Sequence, residues 1–68
     1  MKKAVYALDK ELAESLDLYD HERAYRVEVD GHVVGSVSCW EDGTMTFFDN
    51  QRQTDTDIED LEEVETLI

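Results

Sequence analysis

Residues Arg23 to Asp49, RAYRVEVDGHVVGSVSCWEDGTMTFFD, decide how this chain folds. Two loop signals of one kind, Val29-Asp30-Gly31 and Glu41-Asp42-Gly43, stand among residues of high strand propensity, including Tyr25, Val27, Val33, Val37, Thr46 and Phe47. The stretch therefore reads as a three-stranded antiparallel meander. Asp-Gly closes a hairpin in two ways, and the distribution of apolar side chains chooses between them. A two-residue type I′ turn pairs Val29 with His32, Val27 with Val34 and Tyr25 with Ser36, which mixes polar and apolar residues on one face. A three-residue loop with Gly31 as the left-handed bulge residue pairs Glu28 with His32 and Val27 with Val33. The same loop at Gly43 pairs Trp40 with Thr44, Cys39 with Met45 and Val37 with Phe47. One face then carries Tyr25, Val27, Val33, Val37, Cys39, Met45 and Phe47, and the other Arg26, Glu28, His32, Ser36, Ser38, Thr44 and Thr46. A slip of one residue would reverse every side chain, so the agreement of both hairpins selects this register. Val34, Trp40 and Phe48 interrupt the polar face, which predicts that something covers part of it.

Working outward, the segment from Lys3 to Tyr19 sets Val5, Leu8, Leu12, Leu16 and Tyr19 at helical intervals, with Lys10, Glu11, Glu14 and Asp17 on the opposite side. The stripe predicts a helix from about Lys3, firmest between Asp9 and about Leu18. Asp9 as N-cap, with Ala4 to Leu8 extended before it, is the other reading. Asp20, His21 and Glu22 connect to the first strand. Beyond Asp49, Asn50 to Thr54 is a polar linker. Thr56 and Glu59 then stand in the relation of a capping box, and Ile58, Leu61, Val64 and Ile68 recur at helical spacing, which predicts a helix from about Asp57. The expectation is one α+β domain over 1–68. Residues 1–22 form the helix and connector, 23–49 the meander, and 50–68 the linker and an acidic helix or tail, with the N-terminal helix over one sheet face.

Sixty-eight residues allow one small core, near the lower limit at which packing alone holds a fold. The single cysteine excludes an internal disulfide and suits a reducing compartment. No apolar run reaches the roughly 20 residues of a membrane span, and the apolar stretch after Met1-Lys2-Lys3 is too short for a signal peptide. These features predict a soluble protein of the cytoplasm.

Catalysis finds little footing. Cys39 and His32 fall on opposite faces of the expected sheet, which removes a Cys/His pair, and the many carboxylates lack the apolar niche that a general acid requires. Asp55-x-Asp57-x-Glu59 matches the start of a calcium loop, but Asp60 occupies the position that requires glycine. No enzyme activity, metal site or cofactor is expected.

Charge is the dominant feature: 18 Asp and Glu against 6 Lys and Arg, a net charge of -12. Small domains usually carry a magnitude of about 2 to 8. Such an excess disfavours contact with nucleic acid or an anionic membrane and favours a basic partner. Seven acids, Asp55, Asp57, Glu59, Asp60, Glu62, Glu63 and Glu65, fall within one short segment. On a continuous helix they would span roughly 15 Å, about one charge per 2 Å. Duplex DNA presents one per about 1.7 Å. The array would suit a Lys/Arg channel built for a phosphate backbone, with Glu11, Glu14 and Asp17 as a second row.

The size, the helix-plus-sheet pattern and the acidity resemble the small anti-CRISPR proteins of phages and mobile elements, in particular inhibitors of the type I-C surveillance complex. The resemblance implies a monomeric, stoichiometric inhibitor in the host cytoplasm. It would act as a DNA mimic, fill the basic nucleic-acid-binding channel of a Cascade subunit and exclude target duplex. Other readings are an antitoxin or adaptor that binds through an apolar surface around Trp40, Phe48, Leu67 and Ile68, and a halophile's domain whose acids serve high-salt solubility. Pairing of two copies along the Phe48 edge is also open.

Overall fold

A computed structural model describes residues 3–18 and 23–68. The expectations for Tyr19 and for the connector Asp20-His21-Glu22 lie outside those residues. The fold is α+β, but the sheet has five strands: β1 (Val5–Leu8), β2 (Arg23–Val29), β3 (His32–Cys39), β4 (Met45–Asp49) and β5 (Thr54–Ile58). They form an antiparallel meander in the order β1-β2-β3-β4-β5. Two short helices complete it, α1 (Lys10–Ser15) after β1 and α2 (Glu62–Leu67) after β5.

The second hairpin has the expected register. Cys39 faces Met45 and Val37 faces Phe47, while the Trp40 N–H donates to the Thr44 carbonyl at 2.8 Å. Gly43, at φ 90°, supplies the left-handed residue such a loop requires. The first hairpin differs. Val29 pairs with His32 across a two-residue turn in which Asp30 and Gly31 both have positive φ, 53° and 81°. Glu28 then faces Val33 and Val27 faces Gly35, so Val34 is an extra residue in β3, a β-bulge. The bulge shifts the register by one and returns Tyr25 to Val37, which restores the expected separation of faces except at one place. Val33, expected toward the core, is 49 % exposed, and Val34 packs against the core in its stead.

Both chain ends correct the preferred sequence reading, and the first has the alternative arrangement, an extended segment followed by a helix capped by Asp9. Val5 to Leu8 is strand because its backbone groups pair with β2, from Val5 opposite Glu28 to Leu8 opposite Tyr25, which satisfies more N–H and C=O groups than an isolated helical turn would. The helix begins only after Asp9, whose carboxylate accepts the Leu12 N–H at 3.1 Å. It closes with Asp17 at φ 56°, the Asp17 N–H bonded to the Glu14 carbonyl and the Leu18 N–H to Ala13, the pattern of a Schellman cap.

At the other end, Thr54 to Ile58 extends the sheet, with Thr56 opposite Phe47. The capping box of Thr56 and Glu59 does not form, because Thr56 is in the ladder. The polar stretch does turn the chain as expected. The Asp49 carboxylate accepts the Gln51 and Arg52 N–H groups, and the Gln53 N–H returns to the Asp49 carbonyl. The last helix starts five residues later than the spacing predicts, at Glu62. Its entry is held by Asp60, whose carboxylate accepts the Glu63 N–H at 3.2 Å.

The core consists of Val27, Val37, Phe47, Ile58 and Val64, with Tyr6, Tyr25, Cys39, Met45, Leu61 and Leu67 packed around it. The helix that covers this core face is thus the C-terminal α2. Gly35 is required beneath it, since a Cβ at that position would meet the Phe48 carbonyl oxygen and lie 2.8 Å from Phe47 Cε1. Helix α1 packs instead against β2 on the opposite, open face, where Ala24 is 1 % exposed. Docking of α2 is testable: Val64→Ala should cost about 2 kcal/mol in urea unfolding, whereas a C-terminal segment free of the sheet would leave the midpoint unchanged.

Candidate protein-binding surface

The open face is built from cross-strand rows. One runs Arg26, Ser36, Phe48, Asp55 and the next Ala24, Ser38, Thr46, Asp57, each residue opposite its neighbour in the adjacent strand. Small hydroxyl side chains along β3 leave the middle of this face low. Leu12 and Leu16 of α1 stand on one side of the depression, Asp55 and Asp57 of β5 on the other, and Trp40 closes one end. The result is a groove of about 540 Å³. The Trp40 indole Nε1 donates to Thr46 Oγ1 at 3.3 Å, which turns the ring across β4 toward the row that ends in Asp57. Trp40 is 36 % exposed and Leu16 38 %, so apolar surface is open along both flanks.

The structure disperses the acids that the sequence places on one helix. Asp55 and Asp57 lie on β5, both exposed, on the same side of the strand and roughly 6.7 Å apart by strand geometry. Glu59 and Asp60 are exposed in the turn before α2. Glu62 is exposed on α2, whereas Glu63 and Glu65 are half-buried. Glu65 is a structural link: its Oε2 accepts the Ala4 N–H at 2.9 Å. Glu11, Glu14 and Asp17 are exposed on and just after α1. A continuous rail at the linear density of duplex DNA is therefore absent from this segment, because extended backbone separates residues more than twice as far per residue as a helix does. What the fold brings together instead is the groove, with acids on β5 at one wall and acids on α1 beyond the other. Sequence reading noted Trp40 and Phe48 but not their enclosure. The signal available was the run of small Ser36, Ser38 and Thr46 on the same face.

The apolar surface proposed for an adaptor does not exist as one patch. Trp40 and Phe48 lie on the open face, while Leu67 and Ile68 pack against the core and line a separate cavity with Val29, Val33 and Val34. Nor is Phe48 on an edge, since β5 covers β4.

Cys39 is half-buried against the core, and burial pushes its thiol pKa up, partly opposed by the positive charge of Arg23. Asp42 accepts the Thr44 hydroxyl at 2.6 Å and the Thr44 N–H at 3.0 Å, bonds that hold its carboxyl below the usual carboxylate range and fix the hairpin tip. Among the described residues no group of His, Cys, Asp and Glu is arranged to hold a metal ion, and no helix is long and apolar enough to cross a membrane. No family model, no curated protein and no solved structure matches the chain.

A second link joins β1 to α2: the Tyr6 hydroxyl donates to the Leu61 carbonyl at 2.8 Å. Burial, and secondarily the Glu65 carboxylate, raise the pKa of Tyr6 above its ordinary 10.0. The folded state thus favours the neutral phenol. That contribution is complete below pH 10, the unfolded value, and is lost as pH rises through the higher folded value. Tyr6→Phe should cost about 1 kcal/mol at neutral pH. Urea titrations of the parent and the variant should converge as pH rises above 10.

Proposed function

We propose that this chain acts by binding, as a polyanionic ligand that occupies the basic nucleic-acid-binding surface of a partner protein and keeps DNA from it. The observation that carries this reading is the placement of charge. Among the described residues no charged side chain is buried, and Asp55, Asp57, Glu59, Asp60 and Glu62 form an exposed run along the free edge strand and the turn that follows. Carboxylates held outward on paired backbone need little further ordering when a partner binds, so their attraction for a cationic surface is not offset by chain entropy. A net charge of -12 on so small a body also steers a basic partner over distances comparable to the Debye length.

The resemblance to type I-C anti-CRISPR inhibitors makes a Cascade subunit the first partner to test. Mimicry on this fold rests on acids spread along an edge strand, a turn and a facing helix. The partner would read a charged surface rather than a single helical row. Neither catalysis nor a cofactor enters the reading.

The experiment is a titration of purified type I-C surveillance complex, with binding of labelled target duplex as the readout. One equivalent of the protein should abolish duplex binding, and the inhibition should weaken by about tenfold or more between roughly 50 and 200 mM salt. Glu59→Gln with Glu62→Gln and Glu63→Gln should require a several-fold higher concentration. Undiminished duplex binding at a large molar excess of the protein would reject the partner. Inhibition indifferent to both salt and the three substitutions would reject the electrostatic mechanism.

A further inference from the structure

We infer that the open-face groove is a docking site for an extended basic segment of the partner protein, with Arg side chains at alternate positions engaging Asp55 and Asp57. The inference rests on the reading of the chain as a ligand for a basic protein, and it assigns the contact to one place on the surface.

Three observations converge on that occupant. The uncovered part of the face, from β3 to β5, is two inter-strand steps wide, roughly 10 Å. An α-helix with its side chains is about 10 to 12 Å across and would stand on the walls, whereas an extended chain fits between them. The second observation is spacing. Asp55 and Asp57 are successive residues on one face of a strand, roughly 6.7 Å apart, and an extended peptide repeats its own side chains at the same interval. Cations at positions i and i+2 therefore meet both carboxylates in register.

The third observation is that each carboxylate has an aromatic ring in its row or bonded to it. Phe48 lies directly opposite Asp55, and Trp40 is hydrogen-bonded to Thr46, which lies opposite Asp57. A carboxylate beside an aromatic face suits a guanidinium, which stacks its plane on the ring and directs its N–H fork to the oxygens. A lysine would satisfy only the charge. Ser36 and Ser38 complete the floor with hydroxyls for the peptide backbone, and Leu12 and Leu16 receive the aliphatic stems. Acids scattered over the rest of the surface attract such a segment, but among the described residues this site sets Asp55 and Asp57 beside aromatic rings at strand spacing.

Trp40 is the single tryptophan of the chain and reports directly on the groove. The test is a fluorescence titration with two synthetic peptides of equal composition and charge, one alternating Arg and Ser over eight residues, the other Arg-Arg-Ser-Ser repeated twice, in which no two Arg stand at i and i+2. The alternating peptide should change Trp40 emission saturably and bind at least about fivefold more tightly than the paired one. Asp55→Asn with Asp57→Asn should weaken it by about tenfold, and Glu62→Gln with Glu63→Gln by less than about twofold. Far-UV circular dichroism checks that both double variants keep the fold.

Equal affinity for the two peptides, or equal weakening by the two double variants, would overturn the groove and leave a diffuse charge effect. The Asp55/Asp57 variant in the duplex competition separates this result from the broader reading. Inhibition that survives those substitutions overturns the groove and leaves the polyanionic reading standing. Peptide binding as described, with duplex binding never inhibited, upholds the groove and removes DNA exclusion.

Discussion

Everything on this molecule is positioned by the burial of Val64 against Val27, Val37, Phe47 and Ile58. A five-stranded meander of this length has one apolar face, and without a cover that face would remain in water. Helix α2 is only six residues long and carries three glutamates, so its own propensity does not hold it in place. Packing does. Once α2 is seated, Ile58 is fixed beneath it, β5 is fixed by Ile58, and Asp55 and Asp57 are thereby presented on the other side of the strand. The acids of the open face owe their geometry to an apolar contact on the core face.

The division of labour between the faces follows from that contact. The core face is covered by α2, which is tied to the N-terminal segment by Tyr6 and by Glu65. Among the described residues the open face is covered by α1 alone, which packs on β2 and leaves β3 to β5 exposed. A free edge such as β5 invites pairing with another chain, and charged side chains are a common defence. Two acids on β5 perform that service and face the groove as well. Antiparallel pairing of β5 with its own copy would set aspartates against aspartates. Self-association there is disfavoured by the same groups that we propose engage a basic segment.

How much of this was legible in the sequence depended on whether local and long-range signals agreed. At Gly43 they agreed: the loop, the flanking strands and the apolar alternation all specify one register, and the structure has it. At Gly31 the face pattern was read correctly beyond Val34 but not at Val33 and Val34, and its cause was missed, because a bulge at Val34 achieves the parity that a longer loop would have given. Thr54 to Ile58 was missed because its alternation is Thr, Asp, Thr, Asp, Ile, with the single apolar residue at the end. Thr-x-x-Glu offered a competing helical start. Only the β-branched threonines hinted at a strand, and the deciding factor, the free edge of β4, is not local. At Val5 to Leu8 the sequence offered both answers, a helix by its intervals of three and four and an extended segment before an Asp9 cap, and an adjacent strand that supplies hydrogen-bond partners decides for the second. The groove was least legible of all. It depends on α1 and β5 flanking the same face; the sequence left open which face the first helix covers, and β5 was read as linker and helix.

Salt acts on this molecule in two opposed ways, and both follow from the size of the charge relative to the body that carries it. The radius of gyration is 11.2 Å, close to the Debye length of about 10 Å at 0.1 M salt, so at lower ionic strength the carboxylates repel one another across the whole molecule. Screening relieves that repulsion and favours the folded state, while it weakens attraction for a basic surface. A domain whose acids served only solubility would gain from the first effect and have nothing to lose by the second. In the fold described here the two effects also differ in place. Repulsion is shared by every exposed acid, whereas the stacking of a guanidinium on Trp40 or Phe48 is short-ranged and largely survives screening. In the proposed docking the aromatic rings would thus supply what charge alone lacks, a contribution to recognition that persists at the ionic strength where the long-range field has faded.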